Sequence, residues 1–127
     1  MTAEYNKNTY LQNMEDPFYD TNQIPDALKN DKYFILSACK RNFPSVLSFA
    51  SETLKDDKEL ILHIAEHYNE SLYYVSDRLK DDKDIVLAFL KKNSDNLEFV
   101  SDRLKTDTDV VNVLESNTKT ESRKNKF

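Results

Sequence analysis

Residues 54–78, LKDDKELILHIAEHYNESLYYVSDR, are followed by a near-copy of themselves at residues 79–103, LKDDKDIVLAFLKKNSDNLEFVSDR. A copy that begins at residue 28 reads LKNDKYFIL, and a truncated copy at residue 104 reads LKTDTDVV. The leucines that open the units, Leu28, Leu54, Leu79 and Leu104, are 26, 25 and 25 residues apart. Self-similarity at a fixed period of this length indicates a repeat protein.

Each unit carries two helical patterns. The first places apolar residues at i, i+1, i+4 and i+5, which is one face of an α-helix; its members are Leu60, Ile61, Ile64 and Ala65, and then Ile85, Val86, Phe89 and Leu90. The second is shorter and recurs with an i, i+3, i+7 spacing as Leu72, Val75 and Leu79, and then Leu97, Val100 and Leu104. Helices this short are marginal alone. We therefore expect an all-α fold of stacked helical hairpins, a short α-solenoid-like array.

Helix ends are predicted from acidic and amide residues. The aspartate pair at 56–57 and its copy at 81–82 precede the first helix of their units, where carboxylates cap free backbone N–H groups. The chain has no glycine, so left-handed residues at helix C-termini are expected at Asn42 and Asn93.

Three segments differ in composition. Residues 1–22 are polar with scattered aromatics and are expected to form an arm, irregular or weakly helical, that caps the first hairpin. Residues 23–116 form the predicted helical-repeat domain, with units that start near 28, 54, 79 and 104. Residues 117–127 are polar and basic, which is typical of a disordered tail. Because neighbouring units share one core, a cut between Asp77 and Leu79 is expected to unfold both fragments.

Composition excludes several function classes. The absence of glycine rules out Gly-rich phosphate loops, and the single cysteine, Cys39, rules out an intramolecular disulfide and cysteine zinc sites; we expect it to be a buried hydrophobe. A net charge of −5 and a pI near 5.0 argue against nucleic acid as the main partner. The mean hydropathy is −0.74, and no apolar run approaches the ~20 residues of a membrane helix or forms a signal peptide. A soluble cytoplasmic protein without a membrane partner is expected.

The string LKDDKDIVLAFLKKNSDNLEFVSDRLK resembles the helical repeat known as domain of unknown function 4116, whose pattern recurs in register over residues 28–114. The chain departs from it in lacking a glycine between the helices and in carrying Val75 and Val100 where the family often has alanine. The family is common in bacteria that live inside eukaryotic cells, notably Legionella, where such repeats occur in translocated effectors. The resemblance implies an interaction scaffold with no family-wide active site. A small chain of this kind is also similar to accessory proteins that bind and restrain another effector, such as a ubiquitin-deamidating one.

One string matches a catalytic motif. His63-Ile64-Ala65-Glu66-His67 fits H-x-x-E-H, which in inverted zinc peptidases supplies two histidine ligands and a general base from one helix. In the repeat, however, His63 corresponds to Ser37 and Ala88, so the position is variable. A third ligand and a cleft are also needed. A metal-dependent hydrolase with His63, Glu66 and His67 is therefore the alternative, and the main prediction has no catalytic residue, no metal and no cofactor.

The predicted binding residues are aromatic and basic. Tyr73 corresponds to Glu98 and Ser48 in the neighbouring units and should point outward, and Tyr68, with His67, is expected to cluster near it. Arg78 and Arg103 recur in the motif SDR and either pair with carboxylates of the following LKDD turn or form a ladder that faces an acidic partner.

These residues predict a non-enzymatic module that binds and inhibits or regulates another protein. The family resemblance implies that this partner is an effector of an intracellular bacterium, and translocation of the chain itself into the host cytosol is an alternative to a cytoplasmic location. A structural scaffold that acts directly on a host protein is a further alternative. A homodimer is expected if the ends of the stack leave apolar stripes uncovered.

Overall fold

A computed structural model of the protein describes residues 7–41, 43 and 45–124. Within these residues the secondary structure is entirely helical, which confirms the predicted all-α class. The α-helices are α1 (Lys7–Asn13), α2 (Asp26–Lys29), α3 (Lys32–Lys40), α4 (Glu52–Lys55), α5 (Lys58–His67), α6 (Asp77–Lys80), α7 (Lys83–Lys92), α8 (Asp102–Lys105) and α9 (Thr108–Lys124). Short 3₁₀ helices lie at Thr21–Gln23, Val46–Ser48, Leu72–Tyr74 and Ser94–Phe99.

The longer helices α3, α5, α7 and α9 pack side by side in chain order, and α1 packs against α3 at the N-terminal end of the row. Their apolar faces meet the 3₁₀ helices and the short α-helices in one continuous core. The predicted core positions of both full units are buried, except Leu97, which is half-buried against the core. The units therefore lean on one another as predicted.

The second half of each unit differs from the single helix that the sequence predicted. Leu72–Tyr74 is 3₁₀, Val75 and Ser76 are extended with ψ of 153° and 154°, and α6 begins only at Asp77. The break exists because Ser76 serves two other partners. Its N–H donates to the Lys55 carbonyl of the preceding unit (3.1 Å), and its Oγ accepts from the Leu79 N–H (3.3 Å). The same break recurs before α4 and α8, so it is part of the repeat.

Aspartates cap the longer helices, but only the second aspartate of each pair does so. Asp57 accepts from the Leu60 N–H (3.2 Å), and Asp82 accepts from the N–H groups of Asp84 and Ile85. Such a cap stabilises a helix by about 1 kcal/mol. The first aspartate contacts the next unit instead, so the prediction that both residues of the pair cap is wrong for Asp56 and Asp81.

The first aspartate holds a serine and an arginine of the following unit. Ser76 Oγ donates to Asp56 Oδ1 (2.6 Å), Arg78 Nε donates to the same oxygen (2.8 Å), and Arg78 Nη2 donates to the Asp56 carbonyl (2.7 Å). We call this set the Ser–Arg–Asp contact. It recurs with Ser101 and Arg103 on Asp81.

At the first junction the contact is neutral. Asn30 stands where the aspartate would be, Thr53 stands where the arginine would be, and Ser51 Oγ still donates to Asn30 Oδ1 (2.7 Å). Both charged members of the contact are replaced together, so neither is left there without its partner.

A second contact between units joins a lysine to the next helix cap. The ion pairs are Lys7–Asp31 (2.7 Å), Lys32–Asp57 (2.8 Å), Lys58–Asp82 (3.0 Å) and Lys83–Asp107 (3.3 Å). Lys7 on α1 therefore occupies the place that a first-helix lysine has in the other units. The predicted N-terminal arm contains this helix, and its Leu11 is buried in the core.

The C-terminal segment is more helical than its composition indicated. Residues 117–127 were expected to form a disordered tail, whereas α9 continues through Lys124 and residues 125–127 lie outside the described part. Asn117 provides one anchor, because its Nδ2 donates to the Leu90 carbonyl (2.8 Å) and to Ser94 Oγ (2.7 Å). On the outer side of α9, Glu115 occupies the position that buried Leu90 has in α7, and Val111 is exposed. A homodimer formed through the outer side of α9, at the C-terminal end of the row of helices, stays a prediction.

Left-handed backbone does not occur where amides predicted it. Asn93 is extended (φ −155°) and uses its Oδ1 to accept the Asp95 N–H, so the prediction was wrong there, and Asn42 lies outside the described residues. Among described residues, positive φ occurs at Ser45 (φ 56°), at the start of the Val46–Ser48 turn.

Candidate protein-binding surface

Tyr73 lies at the centre of the candidate surface. It belongs to the 3₁₀ helix Leu72–Tyr74, in which Leu72 is fully buried and Ser71 Oγ accepts the Tyr73 N–H (3.1 Å). Anchoring the turn from below in this way directs Tyr73 outward, and the side chain is 57% exposed. The outward position predicted from its neighbours Ser48 and Glu98 agrees with this exposure.

Tyr73 is held by aromatic neighbours from two units. Its ring meets that of Tyr74 edge to face (centroids 5.0 Å apart, 84°) and that of Phe99 in the following unit (5.3 Å, 69°). Lys80 Nζ lies 5.7 Å from the Tyr73 ring centre. Each edge-to-face pair contributes about 0.5–1.5 kcal/mol beyond burial. We call Tyr73, Tyr74 and Phe99 the aromatic group; Tyr73 is exposed, and the half-buried rings of Tyr74 and Phe99 restrain it.

Phe99 also lines an open cleft of about 440 Å³ between the second and third units. Apart from Phe99, the residues that line it carry polar side chains: Ser45, Asn69, Glu70, Ser71, Lys92, Asn93, Asp95 and Asn96. Carboxamides and hydroxyls of this kind suit hydrogen bonding to a polypeptide backbone. The aromatic group and this cleft together form the candidate surface.

Glu70 is the most unusual ionisable group in the cleft. Its Oε1 accepts the Leu47 N–H of the preceding unit (2.7 Å), and the N–H groups of Ser45 and Val46 also stabilise the carboxylate. Burial nevertheless raises the pKa of Glu70 above its ordinary value, because desolvation outweighs these hydrogen bonds. Glu70 of the second unit thus stabilises the Val46–Ser48 turn of the first unit.

Asn96 performs the same task one unit later without a charge. It is buried, its Oδ1 accepts the Leu72 N–H (3.1 Å), and its Nδ2 donates to the carbonyls of Phe89 (3.2 Å) and Asn93 (3.1 Å). Sequence reasoning missed both Glu70 and Asn96. The sequence carried only an indirect signal. The N–H groups of Leu47 and Leu72 lie at the start of a turn and need an acceptor, but the sequence does not show which residue supplies it.

The predicted cluster of Tyr68 with Tyr73 divides into two groups. Tyr68 is half-buried against the core, and its ring packs edge to face on His63 (6.1 Å), which in turn lies 4.6 Å from His67. Tyr73 instead belongs to the aromatic group on the 3₁₀ turn. His67 is exposed at the end of α5.

Arg78 and Arg103 pair with the preceding LKDD turn, through the Ser–Arg–Asp contact, and not with the following turn, which was one of the two alternatives that the sequence left open. Their side chains remain 63% and 67% exposed. The hydrogen bonds from Ser76 and from Arg78 lower the pKa of Asp56, and Ser101 and Arg103 lower that of Asp81. The two guanidinium groups are thus held one repeat apart on the surface.

The residues of H-x-x-E-H do not come together with a third ligand. Within the described residues no group of three or more His, Cys, Asp or Glu side chains is placed to hold a metal ion. Glu66 lines a groove between α5 and α7 with Leu62, Asp84 and Leu87, and neither histidine lines that groove. Cys39, as expected, is buried; burial, together with the nearby Glu70 charge, raises the pKa of its thiol to about 12. Such a thiol is a poor nucleophile.

No helix among the described residues is long and apolar enough to cross a membrane. Neither the curated proteins nor the solved structures contain a significant match to the chain. The family described as Domain of unknown function (DUF4116) matches residues 31–80, 57–105 and 82–112, and the matches begin at Asp31, Asp57 and Asp82, the caps of α3, α5 and α7. These matches extend over well more than half of the 127 residues, and the chain therefore belongs to the DUF4116 family.

Proposed function

We propose that this chain is a non-enzymatic binding module that engages another protein through the aromatic group and the adjoining cleft. The observation that carries the proposal is Tyr73, a tyrosine 57% exposed and yet held edge to face by Phe99 of the next unit. A restrained aromatic side chain loses little conformational entropy on binding, and tyrosine is enriched among residues that dominate binding energy.

The chemistry of the cleft supports binding over catalysis. Buried Asn96 and half-buried Glu70 each accept a hydrogen bond from a backbone N–H group of the preceding unit. A general base or nucleophile must be available to a substrate. Because Glu70 and Asn96 already accept hydrogen bonds between units, their role is to fix the shape of the cleft.

We further propose that the bound protein is an effector of an intracellular bacterium, which this chain inhibits or regulates. This proposal rests on the family resemblance, and a ubiquitin-modifying deamidase is the effector class that it implies. A host protein bound directly is the alternative partner. Arg78 and Arg103, more than half exposed, are available for acidic side chains of either.

Affinity capture followed by mass spectrometry tests the proposal. The wild-type chain, Tyr73→Ala and Tyr33→Ala are used as baits in lysates of the native bacterium and of its host. Tyr33 is a matched control because it is 77% exposed on α3, outside the aromatic group and the cleft lining. We expect a partner that Tyr33→Ala retains and Tyr73→Ala loses.

With the chain and its partner purified, we expect Tyr73→Ala to cost about 2 kcal/mol of binding free energy, which raises the dissociation constant about 30-fold. Equal retention by both variants, or equal loss in both, contradicts the assignment of the surface. Absence of any partner in either lysate contradicts the proposed function itself.

A further inference from the structure

The two histidines of the chain lie side by side on an exposed face of α5. His63 and His67 are the only histidines in the sequence, and they are four residues apart. Their ring centres are 4.6 Å apart, with the ring planes inclined by 46°. Both side chains are exposed, and the buried residues Leu60, Ile61 and Ile64 fix the helix that carries them.

This separation matches what one bound ion requires. Two imidazole nitrogens at about 2.0–2.1 Å from an ion, at roughly 90–110° to each other, place the ring centres roughly 4.5–5.2 Å apart. The observed 4.6 Å lies within that range. The helix therefore presents the rings at a chelating distance without rearrangement of the backbone.

We propose that His63 and His67 form a two-histidine site for a divalent transition-metal ion of the class that imidazole prefers, Zn²⁺, Ni²⁺ or Cu²⁺. The ion's other coordination positions are taken by water. The site is particular to the middle unit, since the corresponding residues are Ser37 in α3 with Arg41 directly after it, and Ala88 and Lys92 in α7. It goes beyond the proposed function because it requires no partner protein.

The position of Glu66 distinguishes this two-histidine site from the H-x-x-E-H site of zinc peptidases, which uses the glutamate as well. Its side chain lines the groove between α5 and α7, whereas the histidine rings contact each other and Tyr68. The site therefore consists of two protein ligands, and Glu66 is not one of them.

Isothermal titration of the full chain with ZnCl₂ at neutral pH tests the site. The variants are His63→Ala, His67→Ala and the control Glu66→Gln, each checked for helix content by circular dichroism. We expect the wild type and Glu66→Gln to bind one ion per chain. Removal of either histidine should weaken binding at least about tenfold, since loss of even a supporting residue costs that much.

Three results overturn the proposal: no saturable binding by the wild type, unchanged binding in both histidine variants, or a loss in Glu66→Gln as large as in the histidine variants. A thermal scan gives a second readout, because an ion that binds the folded state raises the midpoint of unfolding. The wild type should show that shift, and the histidine variants should not. If an alanine variant unfolds, the glutamine variant at the same position replaces it in both measurements.

Discussion

Adjacent residues of the repeat have separate tasks. Asp57 caps its own helix and also receives Lys32, and these hydrogen bonds, first that of Lys32 and then that of the Leu60 N–H, lower the pKa of Asp57. Asp56, one residue earlier, binds Ser76 and Arg78 of the next unit. The recurrent LKDD string thus encodes a helix cap within its own unit, an ion pair with the preceding unit and a hydrogen-bonded contact with the following unit.

Alanine substitutions at Ser76 and Ser101 should separate the stability contributed by a helix cap from that contributed by the hydrogen bond between units. Ser76→Ala removes a helix cap and the hydrogen bond to Asp56, whereas Ser101→Ala removes only the hydrogen bond to Asp81, since Ser101 makes no side-chain cap. We expect losses of about 1–2 kcal/mol for Ser76→Ala and about 0.5–1.5 kcal/mol for Ser101→Ala in urea unfolding. A larger loss for Ser101→Ala would contradict the assigned hydrogen bonds.

Protonation of Glu70 should increase the free energy of unfolding on mild acidification. Because burial raises its pKa, the folded state binds more protons than the unfolded state between the two pKa values, and stability increases as pH falls through that window. Glu70→Gln keeps an acceptor for the Leu47 N–H without the buried charge. We expect this variant to be more stable than wild type at neutral pH.

The advantage of Glu70→Gln should shrink as pH falls from neutral through the window between the raised pKa of folded Glu70 and its ordinary value, because wild-type Glu70 takes up its proton there. Urea unfolding of both proteins at a series of pH values measures this difference in the free energy of unfolding. The lowered pKa values of Asp56, Asp57 and Asp81 act in a separate window, below the ordinary aspartate pKa, where their stabilising contributions are lost. Glu66→Gln, at an exposed site, is the control. A gap between Glu70→Gln and wild type that is independent of pH would show that Glu70 does not titrate in this window.

At the scale of elements, the broken second half distinguishes this repeat from a simple hairpin. Period alone placed Leu72, Val75 and Leu79 on one helical face, and these residues are indeed buried. The same spacing is met by a 3₁₀ turn, two extended residues and a four-residue helix. The choice between them depends on the Ser76 N–H, whose acceptor is the Lys55 carbonyl of another unit.

Asp77→Pro tests the break directly. Asp77 is the first residue of α6, where proline is well tolerated, and Ser76 before it already has the extended conformation that proline imposes (φ −60°, ψ 154°). We expect a change within about 1 kcal/mol, against a loss of about 3 kcal/mol or more for proline at Glu66, inside α5. Chemical denaturation of both variants is the measurement. A comparable loss at Asp77 would indicate a continuous helix.

At the scale of the whole molecule, each unit depends on both neighbours. The backbone, serine, arginine and lysine contacts all cross from one unit to the next, and the apolar faces of α5 and α7 are buried against each other. Stability in such an array is a sum of weak unit terms and strong interface terms.

A cut between Arg78 and Leu79 should therefore unfold both fragments. It separates α5 from α7, removes the Lys58–Asp82 ion pair and exposes core residues on both sides. We expect residues 1–78 and residues 79–127, produced separately, to lose most helical circular dichroism and the cooperative thermal transition. A cooperative transition in either fragment would show that its units fold independently.

The helical class, the 25-residue period and the buried faces could be predicted from the sequence alone, because they depend on the spacing of apolar residues within a unit and on the recurrence of that spacing in the next copies. The sequence also located Tyr73 on the surface. Tertiary structure decided which aspartate caps and which one reaches the next unit, where the second helix breaks, and that Phe99 and Glu70 join neighbouring units at the candidate surface. Those outcomes depend on partners 20–26 residues away, whose backbone donors and acceptors are chemically alike in the sequence and become distinct only when the units pack.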